Sequence, residues 1–303
     1  LYRALLRAAD VPHDLAFAGQ SPHSRTRTEW SVPELGQFSI PLVRIAPRGG
    51  EAYYVLPDAD RLAHRRRLPV QLWSAPVYVS AEEGGFLEVL PEGKLEEESV
   101  RTRLRLTLDE RGGGRIVWRQ ELRSFGYFRL KGQIAATPAA RLRGFFASQI
   151  SRQFPGANLV RFATPSVDEV GVPVRWKLEA TSTQLLAKRP DGTHRLGSVI
   201  APSQVGARFA LAFDEPIVLE DTTEVLLGPY ACPHLPQELR INRRLLQYSL
   251  RATRPAPDRV RIERRLVIRR GRIQPADYEA FRLQLQRIDA AEQAGLILEK
   301  RAK

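Results

Sequence analysis

Residues 100–108 read VRTRLRLTL and residues 116–122 read IVWRQEL, and these two stretches decide the fold class. Apolar and polar side chains alternate with a period of two, which is typical of a strand with one buried face. The segment between them, 109–114, reads DERGGG, a composition that favours a turn. The sequence therefore predicts a long antiparallel hairpin, and we interpret its arginines as a solvated strand face.

Further strand-like runs follow this hairpin, including one at 199–200, and two amphipathic helices interrupt them. Thr137-Pro138 supplies a helix start, and apolar residues then recur at helical spacing up to Phe154. In the last helix the apolar positions are Tyr278, Phe281, Leu285 and Ile288. Residues 76–303 are therefore predicted to form a mainly antiparallel, sandwich-like β-domain with packed helices near 138–153 and 275–293.

Residues 1–75 have a different pattern. A helical run at 1–9 precedes a short strand, and two further strand-like runs flank Arg48-Gly49-Gly50. Pro41 within the first of these runs predicts an edge position or a bulge. The chain contains no methionine and begins inside a helical run, so we expect it to be part of a longer protein. The fold class is α+β, with this unit followed by the β-domain.

The charge balance is strongly basic. Lys plus Arg is 47 against 34 Asp plus Glu, a net charge of +13, and 41 of the basic residues are arginine. Two interpretations stay open: a functional basic face for an anionic partner, or the compositional drift of a GC-rich genome. No apolar run reaches the roughly 18 residues of a membrane-spanning helix, and the N-terminus lacks a signal-peptide pattern.

Candidate catalytic groups are few. The single cysteine, Cys232, excludes an internal disulfide framework and a Cys-cluster zinc site, and the five histidines lie far apart in sequence without a helical pair. Phosphate-loop, dinucleotide and hydrolase motifs are absent. We therefore expect no metal and no cofactor. Cys232 and His234 are two residues apart, but we interpret Cys232 as structural because no helix N-terminus or orienting third group accompanies it.

One arginine cluster is dense enough to form a basic binding face. Its members are Arg261, Arg264, Arg265, Arg269 and Arg270. Such a cluster could neutralise phosphates and bind a polyanion with strong salt dependence. No base-stacking aromatic interleaves with it, which favours a protein partner over nucleic acid.

The order of features resembles bacterial transglutaminase-like proteins, in which a papain-like core lies between β-rich domains. The motifs that carry the resemblance are the helix end L-L-R-A-x-x-V-P at 5–12 and the closing I-x-P-x-x-Y-x-x-F at 273–281. Active members of that superfamily use a Cys–His–Asp triad. The resemblance implies that the cysteine position lies upstream of Leu1, that the histidine position is Ile40 and that the aspartate position is Leu56.

Neither Ile40 nor Leu56 can accept a proton, and a shift of the alignment to Ser39 or Asp58 does not restore the histidine. We therefore interpret residues 1–75 as the C-terminal half of a degenerate core. The leading hypothesis is a non-catalytic scaffold that binds protein partners, or the upstream segment of the same protein. The resemblance implies a place in the bacterial cell envelope or periplasm, although the cytoplasm stays open. The alternatives are an active cysteine transglutaminase or peptidase with an upstream nucleophile, and a polyanion-binding protein.

Overall fold

The computed structural model of the protein describes residues 2–19, 36, 38–57, 68–81, 84–123, 126–163, 173–197, 212–213 and 215–301. The strand-like run predicted at 199–200 lies outside these residues, as does Asp58. The described part is an α+β structure in which the sheets are mostly antiparallel, as the sequence predicts.

The first sheet follows a short helix, α1 (Tyr2–Ala8), and has five antiparallel strands in the order β3-β2-β1-β4-β5. Their bounds are β1 (His13–Ala18), β2 (Ile40–Ile45), β3 (Tyr53–Val55), β4 (Pro76–Ala81) and β5 (Gly84–Val89). Strand β3 pairs only with residues 43–45 of β2, so Pro41 lies at a local edge, where its missing N–H is tolerated.

This sheet is strongly curved, as a contact between side chains of its two edge strands shows. Tyr54 on β3 donates a hydrogen bond to Glu88 on β5, although three strands separate them in the sheet. Inside the curl lies a small hydrophobic core that includes Ala16, Leu42 and Val77 and extends as far as Leu90. Strands β4 and β5 follow residue 75 in the sequence but belong to this sheet. The domain boundary between residues 75 and 76 stays a prediction.

The second sheet has eight strands in the order β15-β16-β17-β13-β6-β7-β9-β8. Their bounds are β6 (Ser99–Leu108), β7 (Gly114–Leu122), β8 (Ala157–Ala163), β9 (Val174–Ser182), β13 (Ile217–Leu226), β15 (Leu239–Asn242), β16 (Leu246–Ala256) and β17 (Arg259–Ile268). Strands β6 and β7 form the predicted hairpin, with Leu104 opposite Trp118. Strands β6 and β13 pair in parallel. Parallel neighbours need a long connection between them, and the chain between β6 and β13 is long enough to provide it.

Three helices cover the inner face of this sheet. They are α2 (Gly126–Ala136), α3 (Ala139–Gln153) and α4 (Tyr278–Gln293), the last preceded by a 3₁₀ turn at Pro275–Asp277. Helices α3 and α4 were predicted. The expectation of only two helices in this region is wrong, because α2 contains Gly126 and Gly132, whose low helix propensity obscures the helical pattern. The large core combines Phe146, Ile150 and Ile288 with the inward side chains of the strands, so helices provide much of the second layer of the expected sandwich.

Two small sheets complete the described structure. One has four strands in the order β10-β11-β19-β14, with bounds Leu186–Lys188, His194–Leu196, Leu296–Lys300 and Tyr230–Ala231. The other pairs β12 (Ala212–Phe213) with β18 (Gly271–Arg272). Leu196, Leu296 and Tyr230 contribute to the large core, so the four-stranded sheet packs with the eight-stranded one.

Candidate functional site

Ile40 and Leu56, the two positions that the resemblance predicts for a catalytic pair, lie in or next to the five-stranded sheet. Ile40 begins β2, and Leu56 follows the end of β3. Both side chains are partly buried and pack against the small core. Ser39 is exposed. The predicted positions therefore hold packed aliphatic side chains, which neither accept nor orient a proton.

A polar network lies on the same face of this sheet. The Arg44 Nη1 atom is 3.1 Å from Asp14 Oδ2, its Nη2 is 3.4 Å from Glu88 Oε1, and Tyr54 donates to Glu88. Partial burial acts to lower the pKa of Arg44, but the attractions to Glu88, Tyr54 and Asp14 together outweigh it and the pKa is raised. Burial raises the pKa of Tyr54 above its usual value. The network thus keeps Arg44 charged and Tyr54 protonated. This suits a structural role at the place where β3 and β5 approach each other.

Cys232 is the only thiol of the chain, and it is buried with 2% of its surface exposed. Its Sγ lies 3.2 Å from the backbone carbonyl of His234, so the contact with His234 is to the main chain. Burial raises the pKa of the Cys232 thiol, and the nearby Arg254 only partly opposes this. A raised thiol pKa is the opposite of what nucleophilic catalysis requires.

We expect Cys232 to react with a thiol reagent such as dithionitrobenzoate much more slowly in the native protein than in urea. The physical reason is that burial limits both access and thiolate formation. The measurement is the labelling rate with and without denaturant, with free cysteine as the control. Rapid native labelling, near the rate in urea, would show that Cys232 is an accessible thiolate and would reopen its catalytic interpretation.

The five arginines predicted to share a basic face do not do so. Arg264 and Arg270 are buried, with 4% and 8% of their surfaces exposed. Arg270 donates to the Trp73 carbonyl at 3.1 Å, which ties the second sheet to the segment before β4. Arg261, Arg265 and Arg269 are exposed. The prediction is wrong because adjacent residues of a strand point to opposite faces, so Arg264 and Arg265 cannot face one partner together.

Arg264 instead lies at the centre of a buried ionic triad on the inner face. Its Nε is 2.8 Å from Asp221 Oδ2 on β13, and its Nη1 is 2.7 Å from Glu292 Oε1 on α4. All three side chains are at most 6% exposed. Burial raises the pKa of Asp221, although Arg264 opposes this. The triad joins two strands to the covering helix, which gives it a structural function.

The outer face of the eight-stranded sheet carries the exposed charge. Basic side chains outnumber acidic side chains on this face. The acidic side chains are Glu121, Glu179, Glu220, Glu224 and Glu263. Its basic members include Arg101, Arg103, Arg105, Arg115, Arg119, Arg161, Arg175, Lys177, Arg240, Arg251, Arg259, Arg261 and Arg265. The predicted solvated strand face is confirmed for the hairpin, whose outward arginines include exposed Arg103, Arg105 and Arg119.

Most of these charges form cross-strand ion pairs. Arg101 Nε lies 2.6 Å from Glu220 Oε2, and Arg105 Nη2 lies 2.8 Å from Glu224 Oε2, both between β6 and β13. Hydrogen bonds from Lys177 and Arg115 lower the pKa of Glu179 to about 2. The carboxylates of this face are therefore already engaged by neighbouring cations.

Arg103 and Arg119 differ from their ion-paired neighbours on this face. They stand directly opposite each other on β6 and β7, and Lys177 on β9 stands opposite Arg119. Within the described part of the chain, neither arginine forms an ion pair. Like charges directly opposite each other on a sheet are destabilising. We call Arg103, Arg119 and Lys177 the basic row; its two arginines have no carboxylate partner among the described residues, whereas Lys177 is paired with Glu179. Alternation in the sequence predicts the face of each arginine, whereas this opposition depends on strand register.

Among the described residues, no group of three or more His, Cys, Asp or Glu side chains is placed to hold a metal ion. None of the described helices is long and apolar enough to cross a membrane.

Comparison with known proteins gives one distant structural likeness to report. No protein-family model and no curated protein matches the sequence. A solved structure from Parabacteroides distasonis, described as a "putative protease", is similar with a TM-score of 0.47 and 11% identity. The match covers 98% of this chain and 42% of that one, so this chain spans less than half the length of that protein. A likeness of this size assigns neither a family nor an activity.

Proposed function

We propose that the protein is a non-catalytic scaffold that binds an acidic surface of a partner protein. The observation that carries this proposal is the basic row of Arg103, Arg119 and Lys177 on an exposed, eight-stranded sheet face. Carboxylates of a partner would relieve the repulsion between the two opposed arginines. Arginine is well suited to this contact, because its planar guanidinium group can bind a carboxylate through two hydrogen bonds.

The mixed charge of the face favours a protein over a polyanion. Glu121, Glu179 and Glu220 lie beside or near the basic row and would repel a uniformly anionic polymer. A protein surface offers charges of both signs and can complement both the arginines and the glutamates. The basic row therefore supplies the anion site, and the surrounding ion pairs supply specificity.

Two further points support a scaffold over an enzyme. Ile40 and Leu56 are aliphatic and packed against the small core, which suits a degenerate transglutaminase-like unit. Cys232, the only thiol of the chain, is buried and carries a raised pKa. The proposed place of action, a bacterial cell-envelope assembly, rests on the resemblance to transglutaminase-like proteins alone.

The test is an affinity pull-down from the cell-envelope fraction of the source organism with the intact protein and the double variant R103E/R119E. The control is R141E/R152E, which makes the same charge change at two exposed positions of α3. We expect the wild type and the control to retain the same stoichiometric protein, and R103E/R119E to lose it. The reason is that the reversed charges would repel the carboxylates of the partner.

Three outcomes would contradict the proposal. Equal retention by R103E/R119E would place the contact elsewhere. Recovery of nucleic acid or anionic polymer alone, lost as salt rises, would assign the charge to polyanion binding. Turnover of a glutamine or peptide substrate by the intact protein would favour the enzyme alternative.

A further inference from the structure

A separate cavity of about 540 Å³ lies at the far end of the sheet, between the β15–β16 connection and the start of α4. Its apolar floor is formed by Leu245, Ile273 and Phe281. Its rim carries three exposed arginines, Arg243, Arg244 and Arg272. The volume lies within the range of sites that enclose a small ligand or a short peptide, which are mostly apolar with a few placed polar groups.

The walls of this cavity are held in place by the fold. The backbone N–H of Arg269 donates to the Leu245 carbonyl at 2.9 Å, and the Arg243 N–H donates to the Leu246 carbonyl at 2.8 Å. Gly271 has a φ of +149°, a backbone conformation that favours glycine, and a Cβ there would lie 2.8 Å from Leu245 Cδ2. The ring of Phe281 packs against Phe213, with centroids 5.9 Å apart. The cavity is therefore largely preformed.

We propose that this cavity binds a short acidic peptide segment in which carboxylates flank an apolar side chain. The apolar side chain would lie on Leu245, Ile273 and Phe281, which would remove its surface and theirs from water. The carboxylates would pair with Arg243 and Arg244, and among the described lining residues the acidic group is Asp277. The net positive charge of the rim selects an anion, and the floor selects an apolar residue beside it.

The remaining polar groups favour a peptide over a fatty acid or a lipid. The lining includes the side-chain amides of Gln274 and Gln284 together with Asp277. A peptide backbone offers both N–H donors and carbonyl acceptors to these groups. A fatty acid has one carboxylate and an otherwise apolar chain, so it would leave them unpaired, at a cost when they are covered.

This site is distinct from the basic row. Its residues belong to the β15–β16 connection, β18 and the start of α4, whereas the row lies on β6, β7 and β9. The two sites can therefore be tested independently with the same set of variants.

The experiment measures the fluorescence anisotropy of a labelled peptide, Ser-Glu-Leu-Phe-Glu-Ser, titrated with the full chain. We expect saturable binding that weakens at least tenfold in R243E/R244E and is unchanged within about twofold in R141E/R152E, which makes the same charge change at two exposed positions of α3. A second peptide, with serine in place of leucine and phenylalanine, should bind at least tenfold more weakly than the first, because burying those two side chains contributes several kcal/mol. Circular dichroism verifies that each variant is folded.

Several results would overturn the inference. If the all-polar peptide binds as well as the apolar one, the rim is a general anion patch. If R243E/R244E binds the first peptide like the wild type, or if no peptide binding is detected, the cavity is not the site. Displacement of the peptide by a long-chain fatty acid at comparable concentration would identify an amphipathic anion as the ligand.

Discussion

Replacing Arg264 with leucine is expected to lower the free energy of unfolding by about 3–5 kcal/mol. The substitution leaves Asp221 and Glu292 buried and facing each other without the guanidinium that each contacts. Two uncompensated carboxylates in a protein interior are costly, since burial has removed the water that would stabilise their charge. The measurement is urea unfolding followed by tryptophan fluorescence, to which Trp118 and Trp176 of the same sheet contribute.

The control for this prediction is the neighbouring residue. Arg265 points to the outer face, is 47% exposed and lies 3.6 Å from Glu220. The Arg265→Leu variant should lose no more than about 1 kcal/mol, the range for an exposed ion pair. A similar loss in both variants would show that the buried triad contributes no more than a surface contact.

The Phe146→Ala variant is expected to lose about 3–5 kcal/mol of stability. Phe146 is 1% exposed on α3, and its ring contacts Phe162 and Trp176, with centroids 5.4 and 5.6 Å away. Removing the ring leaves a cavity between the helix and the sheet, because the surrounding strands cannot close over it. The urea midpoint should therefore fall, with the slope unchanged.

The adjacent Phe145 provides the matched comparison. It is 45% exposed, so the same phenylalanine-to-alanine change removes a side chain that is already largely in water. We expect its loss to be about 1 kcal/mol or less. Equal losses at the two positions would mean that α3 does not pack on the sheet through Phe146.

Periodicity in the sequence was sufficient to predict the principal elements of the β-domain. Alternation over 100–108 predicts the strand and its buried face, and Leu142, Phe146 and Ile150 predict the buried side of α3. These signals are local, since each element must present its apolar side chains at its own period. Helix α2 was not predicted, because its glycines weaken that local signal.

The candidate sites depend on contacts between distant segments. Period two places Arg264 and Arg265 on opposite faces, but only the assembled sheet puts Asp221 and Glu292 beside Arg264. The opposition of Arg103 and Arg119 follows from the register of β6 and β7.

The sequence by itself determined the α+β class, the long hairpin, helices α3 and α4 and the absence of an acid or base at Ile40 and Leu56. The tertiary structure alone decided which arginines are exposed, which are buried and which line the cavity beside α4. The physical reason is that hydrophobic periodicity specifies the face of an element without specifying its neighbour. Charge complementarity between elements arises only when strand order and register bring distant residues within a few ångströms.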